Sequence, residues 1–368
     1  MEKLSFNRSP DPTIGVELEV QILDPETLSL VPLAPDILKQ VPSNLRERIK
    51  PEFIQSMVEI NTGVCSSVGE VEEDLRSSYA LLQNMAEVSG GTLFTVSLHP
   101  FSSGLEQKVS DHPRYKRIMN DLQLVGKRFI TQGLHVHIGV DDEEKVIKIC
   151  NNMRIYLPIL LALSTSSPFY ESLDTGLMSY RSKLFEALPL AGMPDSLNDW
   201  EEFEILVALL QKSGIIESVK DIWWDVRPHP DFGTIEIRIC DLPHSLRDIL
   251  AITALIQALV LAIAEQFENP EPHMQILRSN KWQAARYGLE GFYVDPFFAT
   301  KYTMKEAVMS LYRHVKPVSE LLESTDYIDE IPKILDRLTG AHLQRELFNS
   351  NGKSFKEMIK SMQGHFLK

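Results

Sequence analysis

The chain has 368 residues, 43% of them apolar and 24% charged, with 37 basic and 51 acidic side chains and a net charge of −14. That composition excludes a disordered or fibrous chain and gives room for one large domain or two ordinary ones. No basic tract stands out, which argues against a nucleic-acid partner because phosphate neutralisation needs clustered Lys and Arg. A small polyanionic ligand would need local arginines and metal ions against the overall negative field. Only Cys65, Cys150 and Cys240 occur, with no CxxC pair, as in a reducing compartment without disulfides or structural zinc. The N-terminal MEKLSFNRSPDP has no apolar signal core, and the most apolar run, 249–264, falls short of the ~20 residues that span a bilayer. The expectation is a cytoplasmic protein with no membrane partner.

In chain order, Ile14–Leu23 reads as a strand stopped by Asp24-Pro25, followed by a Pro-rich loop and a strand at Met57–Asn61. Ser66/Ser67 with Glu70 resembles a capping box opening a helix over 71–88, ended by Gly90-Gly91. A strand is expected at 92–98, a helix at 113–129 and a strand at 134–140. Acids 141–144 then favour a helix N-terminus, and that helix runs to Leu163 with a kink expected at Pro158. Residues 164–199 read as long and irregular, where substrate selection is expected. Trp200–Lys212 reads as a helix, and 223–227 leads into a strand at 234–241. Helices at 246–267, 274–285, 303–312 and 331–348 make up the rest. Strict βα alternation is absent. The fold class expected is α+β: a curved, mainly antiparallel sheet with helices on its outer face, residues 1–368 forming a single domain. Its strand-containing core spans about 12–242 and its helical part about 245–368.

Four strands carry the chemistry. Side chains two apart share a strand face, so IGVELEV places Glu17 beside Glu19, MVEIN places Glu59 beside Asn61, LHVHIGV pairs His135 with His137, and TIEIRICD pairs Glu236 with Arg238. Any one of these alone is more often a solvated sheet face, and HVH is somewhat more specific because two His on one face commonly hold a metal. Four together point to a sheet whose polar face is a site. Glu17, Glu19, Glu59 and Glu236 are oxygen donors suited to Mg²⁺ or Mn²⁺, and carboxylates that face one another raise each other's pKa unless cations intervene. Arg238, Arg227 and Arg181 supply fixed positive charge for a transferring phosphoryl group. Arg227 has the plainer reading of stacking on Trp223 or Trp224. Cys240 reads as an inert buried thiol, and His99, His112, His229 and His244 read as structural groups beside Pro-rich turns.

TIGVELEVQILD, FIQSMVEINTGVCSSVGEVEEDL, HPRYKRI, QGLHVHIGVDD, LALSTSSPFYESLDTGLMSYRSKLFEALP and WWDVRPHPDFGTIEIRICD, in that order over residues 12 to 290, resemble the carboxylate–amine ligase family. This is the type-2 glutamate–cysteine ligase group, with a glutamine synthetase-like fold. The resemblance implies an ATP-dependent ligase that turns a carboxylate, the γ-carboxyl of L-glutamate being the family's usual choice, into an acyl phosphate, with ADP released. An amine, L-cysteine foremost, then forms the amide. It implies Glu17, Glu19, Glu59, His135 and Glu236 as metal and nucleotide-phosphate ligands, with His137 a less constant neighbour. Arg238 stabilises the transferred phosphoryl group, and Arg181 and Arg227 contact substrate carboxylate or phosphate. ATP and Mg²⁺ (or Mn²⁺) are the implied cofactors, small molecules the partners, and a homodimer the implied assembly. Two rivals remain at this point: a metal-dependent amide hydrolase built on the HVH pair, and a non-catalytic nucleotide-binding relative.

Overall fold

The computed structural model describes residues 4–265 and 270–367. Seven strands, β1 (Ile14–Leu23), β2 (Ile49–Pro51), β3 (Met57–Asn61), β4 (Thr92–Phe94), β5 (Leu134–Gly139), β6 (Val226–His229) and β7 (Thr234–Ile237), form one sheet. The order is β6-β7-β5-β1-β3-β2, with β4 pairing the far end of β1, and every ladder is antiparallel. β1 is central because its alternation is the longest. Ile14, Val16, Leu18, Val20 and Ile22 are all buried, and register sets Leu18 against Ile60 and Leu134 on the same face. A slip of one residue would turn the glutamates into that core, so the apolar face fixes the register of the polar one.

Against the apolar face lie α1 (Val68–Val88), α3 (Glu143–Ser164) and α6 (Leu246–Glu265), which share one core with the strands. Between them in sequence is α2 (Pro113–Leu122), and α4 (Arg181–Glu186), α5 (Trp200–Lys212), α7 (Met274–Tyr287) and α8 (Met304–Leu321) complete the principal helices. α1 starts at Val68 because the Ser67 side chain accepts from the Glu70 amide, while the Glu70 carboxylate takes the amide and hydroxyl of Ser66. The reciprocal cap is thus divided between two serines. α3 is opened by Asp142, whose carboxylate accepts from the Glu144 and Lys145 amides at 3.0 Å each. α3 and α6 are long and apolar enough to cross a membrane by composition, and both are core helices, with 78% and 89% of their apolar windows buried. On the polar side of the sheet a second apolar cluster includes Phe53, Ile54, Met57, Ile118 and Ile130.

Several elements depart from the sequence reading. The strand expected at 92–98 is paired only over Thr92–Phe94, where β1 still offers backbone, and beyond that a single bridge joins Leu98 to Thr131. The helix expected over 113–129 breaks at Gln123, whose φ of 49° ends α2 before a short turn at Leu124–Lys127. In the same way, 331–348 splits at Leu338, φ 66°, into Ile331–Arg337 and Gly340–Ser350. The helix expected at 303–312 runs on to Leu321 through Pro317, opened by a capping box of Thr303 and Glu306. The Pro-rich loop holds a short helix at Ala34–Gln40 as well as β2, and a further helix stands at Phe355–Met362. The helix expected over 246–267 is seen to Glu265, and its last two positions lie outside the described residues.

The β6–β7 hairpin turns through Gly233 at φ 63°, where an added Cβ would run into the main chain of Asn7, so only glycine fits. Leu18→Ala, emptying a fully buried position on the central strand, should cost about 2–5 kcal/mol, read as a lowered denaturation midpoint with the m-value preserved.

Candidate active site

The ladders carry the polar residues into rows across the sheet. Arg227 stands opposite Glu236, which stands opposite His137. His135 pairs with Glu17 and Glu17 with Asn61, and Glu19 pairs with Glu59, which pairs with Lys50. Strand parity supplies the common face and register supplies the neighbours. A cavity of about 290 Å³ opens over these rows, lined by Glu17, Glu19, Glu52, Glu59, His135, His137, Arg227, Glu236 and Arg238 among others.

One side of the site is charge-balanced. Glu236 takes the Nε and Nη2 of Arg227 at 2.9 and 2.6 Å and also contacts Arg238. Glu17 receives His135 Nδ1 at 3.1 Å and lies 3.5 Å from His137 Nε2. Burial works to raise both carboxylates. The two arginines overcome it at Glu236 and the two histidines at Glu17, so each ionises well below the usual range. Burial, with Arg238 adding to it, lowers His135 to about 4, which keeps it a neutral imidazole. His137 feels the same burial, but Glu236 and Glu17 prevail and raise it.

The other side lacks such balance. Glu19, Glu52 and Glu59 place carboxylate oxygens within 4.8 Å of one another. Burial raises all three, Glu19 to about 7, and the neighbouring carboxylates add to the rise. Glu52 and Glu59 hydrogen-bond to each other, while Glu59 also accepts from Asn61 at 2.6 Å and Glu19 from the Gly133 amide at 2.7 Å. A divalent cation bound among carboxyl groups so raised would favour their ionised forms. Glu17, His135 and Glu236 form a second trio with donor atoms within 4.8 Å. His135 Nε2 is buried without a hydrogen-bond partner, and an added Cβ at Gly133 would come within 3.1 Å of it. Both trios fit divalent cations with oxygen-rich coordination.

The three arginines divide. Arg238 lines the cavity with its Nε buried and unpartnered. Arg227 also lines it, but its Nη1 is held by the carbonyls of Val219 and Ile222 at 3.1 and 2.7 Å. Arg181, expected to contact substrate, is buried outside the cavity lining. Its Nη atoms donate to the carbonyls of Ile239 and Arg238 at 3.3 Å each, 4.0 Å from Asp241. It grips the chain that bears Arg238.

Sequence reading missed Glu52, although Lys50 and Glu52 share the i, i+2 spacing that marked the other strands. β2 is three residues long and ends in Pro51, so no alternating run announced it. Missed too was the ion pair behind the site, Lys281 Nζ with Asp225 Oδ2 at 2.6 Å and Glu186 at 3.2 Å. The Asp225 carbonyl accepts from the Arg238 amide at 2.8 Å. His229, read as structural, lines the cavity stacked on Phe232 at 4.2 Å between ring centroids. Cys240 is buried, and burial pushes its thiol up to about 12, as an inert thiol requires.

The site is thus an antiparallel sheet bearing one trio of carboxylates and one of two carboxylates with a histidine, with helices behind it. The sequence profile of glutamate–cysteine ligase family 2 matches residues 13–363. A provisionally named glutamate–cysteine ligase 2 of Gloeobacter violaceus is 38% identical over 354 residues, covering 95% of each chain. A similarly named protein of Solibacter usitatus is 38% identical over 348 residues, covering 93% of this chain and 90% of its own. In fold, the chain is similar to the glutamate–cysteine ligase of Francisella tularensis solved with AMP, at a TM-score of 0.73 and 12% identity over 97% of this chain and 89% of that one. It is also similar to a bifunctional glutathione synthetase of Pasteurella multocida, at a TM-score of 0.69 and 15% identity over 96% of this chain and 52% of that one. The chain belongs to glutamate–cysteine ligase family 2 and is an ATP-dependent carboxylate–amine ligase acting on small molecules.

Two outcomes follow from the electrostatics. Glu19 binds its proton more tightly folded than unfolded, so its contribution to metal-free stability is present below about pH 4.5 and lost as pH rises to about 7. Added Mg²⁺ or Mn²⁺ should raise the melting temperature most at the upper end of that window, and an ion-independent melting curve would count against the trio as a metal site. Lys281→Met leaves buried Asp225 unpaired and should cost about 3–5 kcal/mol, measured by chemical denaturation.

Proposed function

We propose that this protein joins the γ-carboxyl of L-glutamate to an amine through an acyl phosphate, with L-cysteine the amine that the relatives' names point to. The observation that carries the reading is the convergence of Glu17, Glu19, Glu52, Glu59, His135, Glu236 and Arg238 on one cavity. We assign the divalent ions to Glu17–His135–Glu236 and Glu19–Glu52–Glu59, with His137 beside the first. Bound there, Mg²⁺ or Mn²⁺ would neutralise the phosphate oxygens and draw charge from the γ-phosphorus.

The first step needs an oxygen of the substrate carboxylate in line with the γ-phosphorus. The bond to the β–γ bridging oxygen breaks as the new P–O bond forms, and ADP leaves. Charge grows on the γ-oxygens during this transfer, and Arg238, oriented through Glu236, is placed to meet it. The amine then attacks the acyl carbon, expels phosphate and loses its proton, giving the amide. Arg227 holds Glu236 in place, and Arg181 holds the backbone of Arg238 and Ile239, so both act as positioning residues. No nucleophilic side chain is needed, in keeping with the inert Cys240. A cytoplasmic location is the reading supported by the buried apolar helices and three free, buried cysteines.

The test supplies ATP, Mg²⁺, L-glutamate and hydroxylamine. Glutamate-dependent ADP release with hydroxamate formation is expected, and its absence across a panel of carboxylic acids would remove the ligase reading. Arg238→Ala and Glu59→Gln should each lower kcat at least a hundredfold with circular dichroism unchanged. Amide cleavage with bound zinc and no use of ATP would favour the hydrolase instead.

A further inference from the structure

One wall of the active-site cavity is a helix with little stake in the core. α2 gives Arg114, Tyr115, Ile118 and Leu122 to the cavity lining, positions that share one helical face. Of Pro113–Leu122 only Ile118 is buried, whereas every residue of β5, β6 and β7 beneath the cavity is buried. Gln123, at φ 49°, breaks the helix from the turn that follows.

Charge holds this helix where burial does not. Asp221, 5% exposed, ends a single helical turn at Val219–Asp221. Its carboxylate accepts from Arg114 Nε at 3.1 Å, from Arg117 Nη2 at 3.0 Å and from the Glu217 amide at 3.0 Å. The Lys220 carbonyl takes Arg114 Nη2 at 2.9 Å. The helix touches the sheet edge more lightly, through the Tyr115 hydroxyl on the Pro51 carbonyl at 3.3 Å and the Tyr115 ring 5.7 Å from that of Phe53. The turn bearing Asp221 is itself fixed to the site, because the Val219 and Ile222 carbonyls hold Arg227, which grips Glu236. Asp221 and Arg117 lie outside the cavity lining, so this clamp bears on the reaction only through the helix it holds.

The cavity is also small for its task. At about 290 Å³ it lies at the floor of the roughly 300–1,000 Å³ found for pockets holding one drug-sized ligand. ATP, an acid and an amine must share it. Segments with little buried apolar surface open at the lowest free energy, and α2 is such a segment.

We infer that α2 is a cover that moves aside to admit substrates, and that Asp221, through Arg114 and Arg117, is the positioning residue that closes it over the acyl phosphate. This rests on the ligase reading and deepens it, assigning the exclusion of water to a named contact. Water that reached the intermediate would bond to the acyl carbon as phosphate leaves, returning the free acid with one proton released and no amide made. A closed cover leaves the amine already bound beneath it as the only nucleophile.

The experiment uses the whole protein in two arms. In the first, hydrogen–deuterium exchange compares α2 with α6, free and then loaded with Mg²⁺, L-glutamate and a non-hydrolysable ATP analogue. Residues 113–122 should exchange at least about tenfold faster than α6 in the free protein and slow on loading, while Asp221→Asn keeps them fast. Exchange as slow as that of α6, or unmoved by loading, overturns the cover even in a working ligase. In the second, ADP and hydroxamate are counted together with ATP, Mg²⁺, L-glutamate and limiting hydroxylamine. Asp221→Asn, and Arg117→Ala as a smaller loss at a part-exposed side chain, should each raise glutamate-dependent ADP per hydroxamate about threefold or more. That excess should vanish as hydroxylamine is raised, because the amine then outruns water. A lower rate at the wild-type ratio would make the clamp merely structural and overturns the inference. No hydroxamate from any carboxylic acid overturns the acyl-phosphate reading and the cover's part in it together.

Discussion

Five carboxylates crowd one face of the sheet, four from its strands and Glu52 from just past β2, and their repulsion is the constraint on which the rest of this structure depends. Glu19 and Glu236 are buried and Glu17, Glu52 and Glu59 half-buried, so a proton, a cationic side chain or a metal ion beside each lowers the cost of that crowding. The protein answers in two ways. Arg227 on β6, Arg238 just past β7 and the two histidines of β5 hold Glu236 of β7 and Glu17 of β1 as anions. At Glu19, Glu52 and Glu59, burial and the neighbouring carboxylates prevail and raise all three above the usual carboxylate range. Both clusters face the same cavity, one with its carboxylates paired to cationic side chains and the other with carboxylate packed against carboxylate.

Holding such a face together is the work of the opposite one. Leu18, Val20, Val58, Ile60, Val136 and Ile235 are fully buried against α1, α3 and α6, and a register slip would expose them all. The site therefore draws its geometry from hydrophobic burial distributed over several helices rather than from the polar residues themselves. A second layer acts on Arg238. Arg181 holds its backbone carbonyl, Asp225 holds its amide, and Lys281 from α7 anchors Asp225. The C-terminal helical third thereby reaches Arg238 without touching it.

Much of this was legible in the chain. The period-two alternation placed Glu17 with Glu19, His135 with His137 and Glu236 with Arg238 on one face, because parity along a strand is a local property. What parity cannot say is which strand lies beside which, so the pairing of Glu19 with Glu59 and Arg227 with Glu236 came only with the ladders. Glu52 was hidden by the shortness of β2, and Lys281 by its distance along the chain, since ion pairs across a core leave no periodic mark. Arg181 was expected to contact substrate carboxylate or phosphate, and its Nη atoms donate instead to two main-chain carbonyls. The helix breaks at Gln123 and Leu338 were also invisible, since neither residue is one that ordinarily takes a positive φ.

The most direct measurement counts Mn²⁺ ions by electron paramagnetic resonance with a non-hydrolysable ATP analogue bound. The expected result is at least two ions close enough for their spins to couple, with Glu17→Gln and Glu59→Gln each removing one. A single isolated ion, or two that survive both substitutions, would contradict the assignment of divalent ions to both trios.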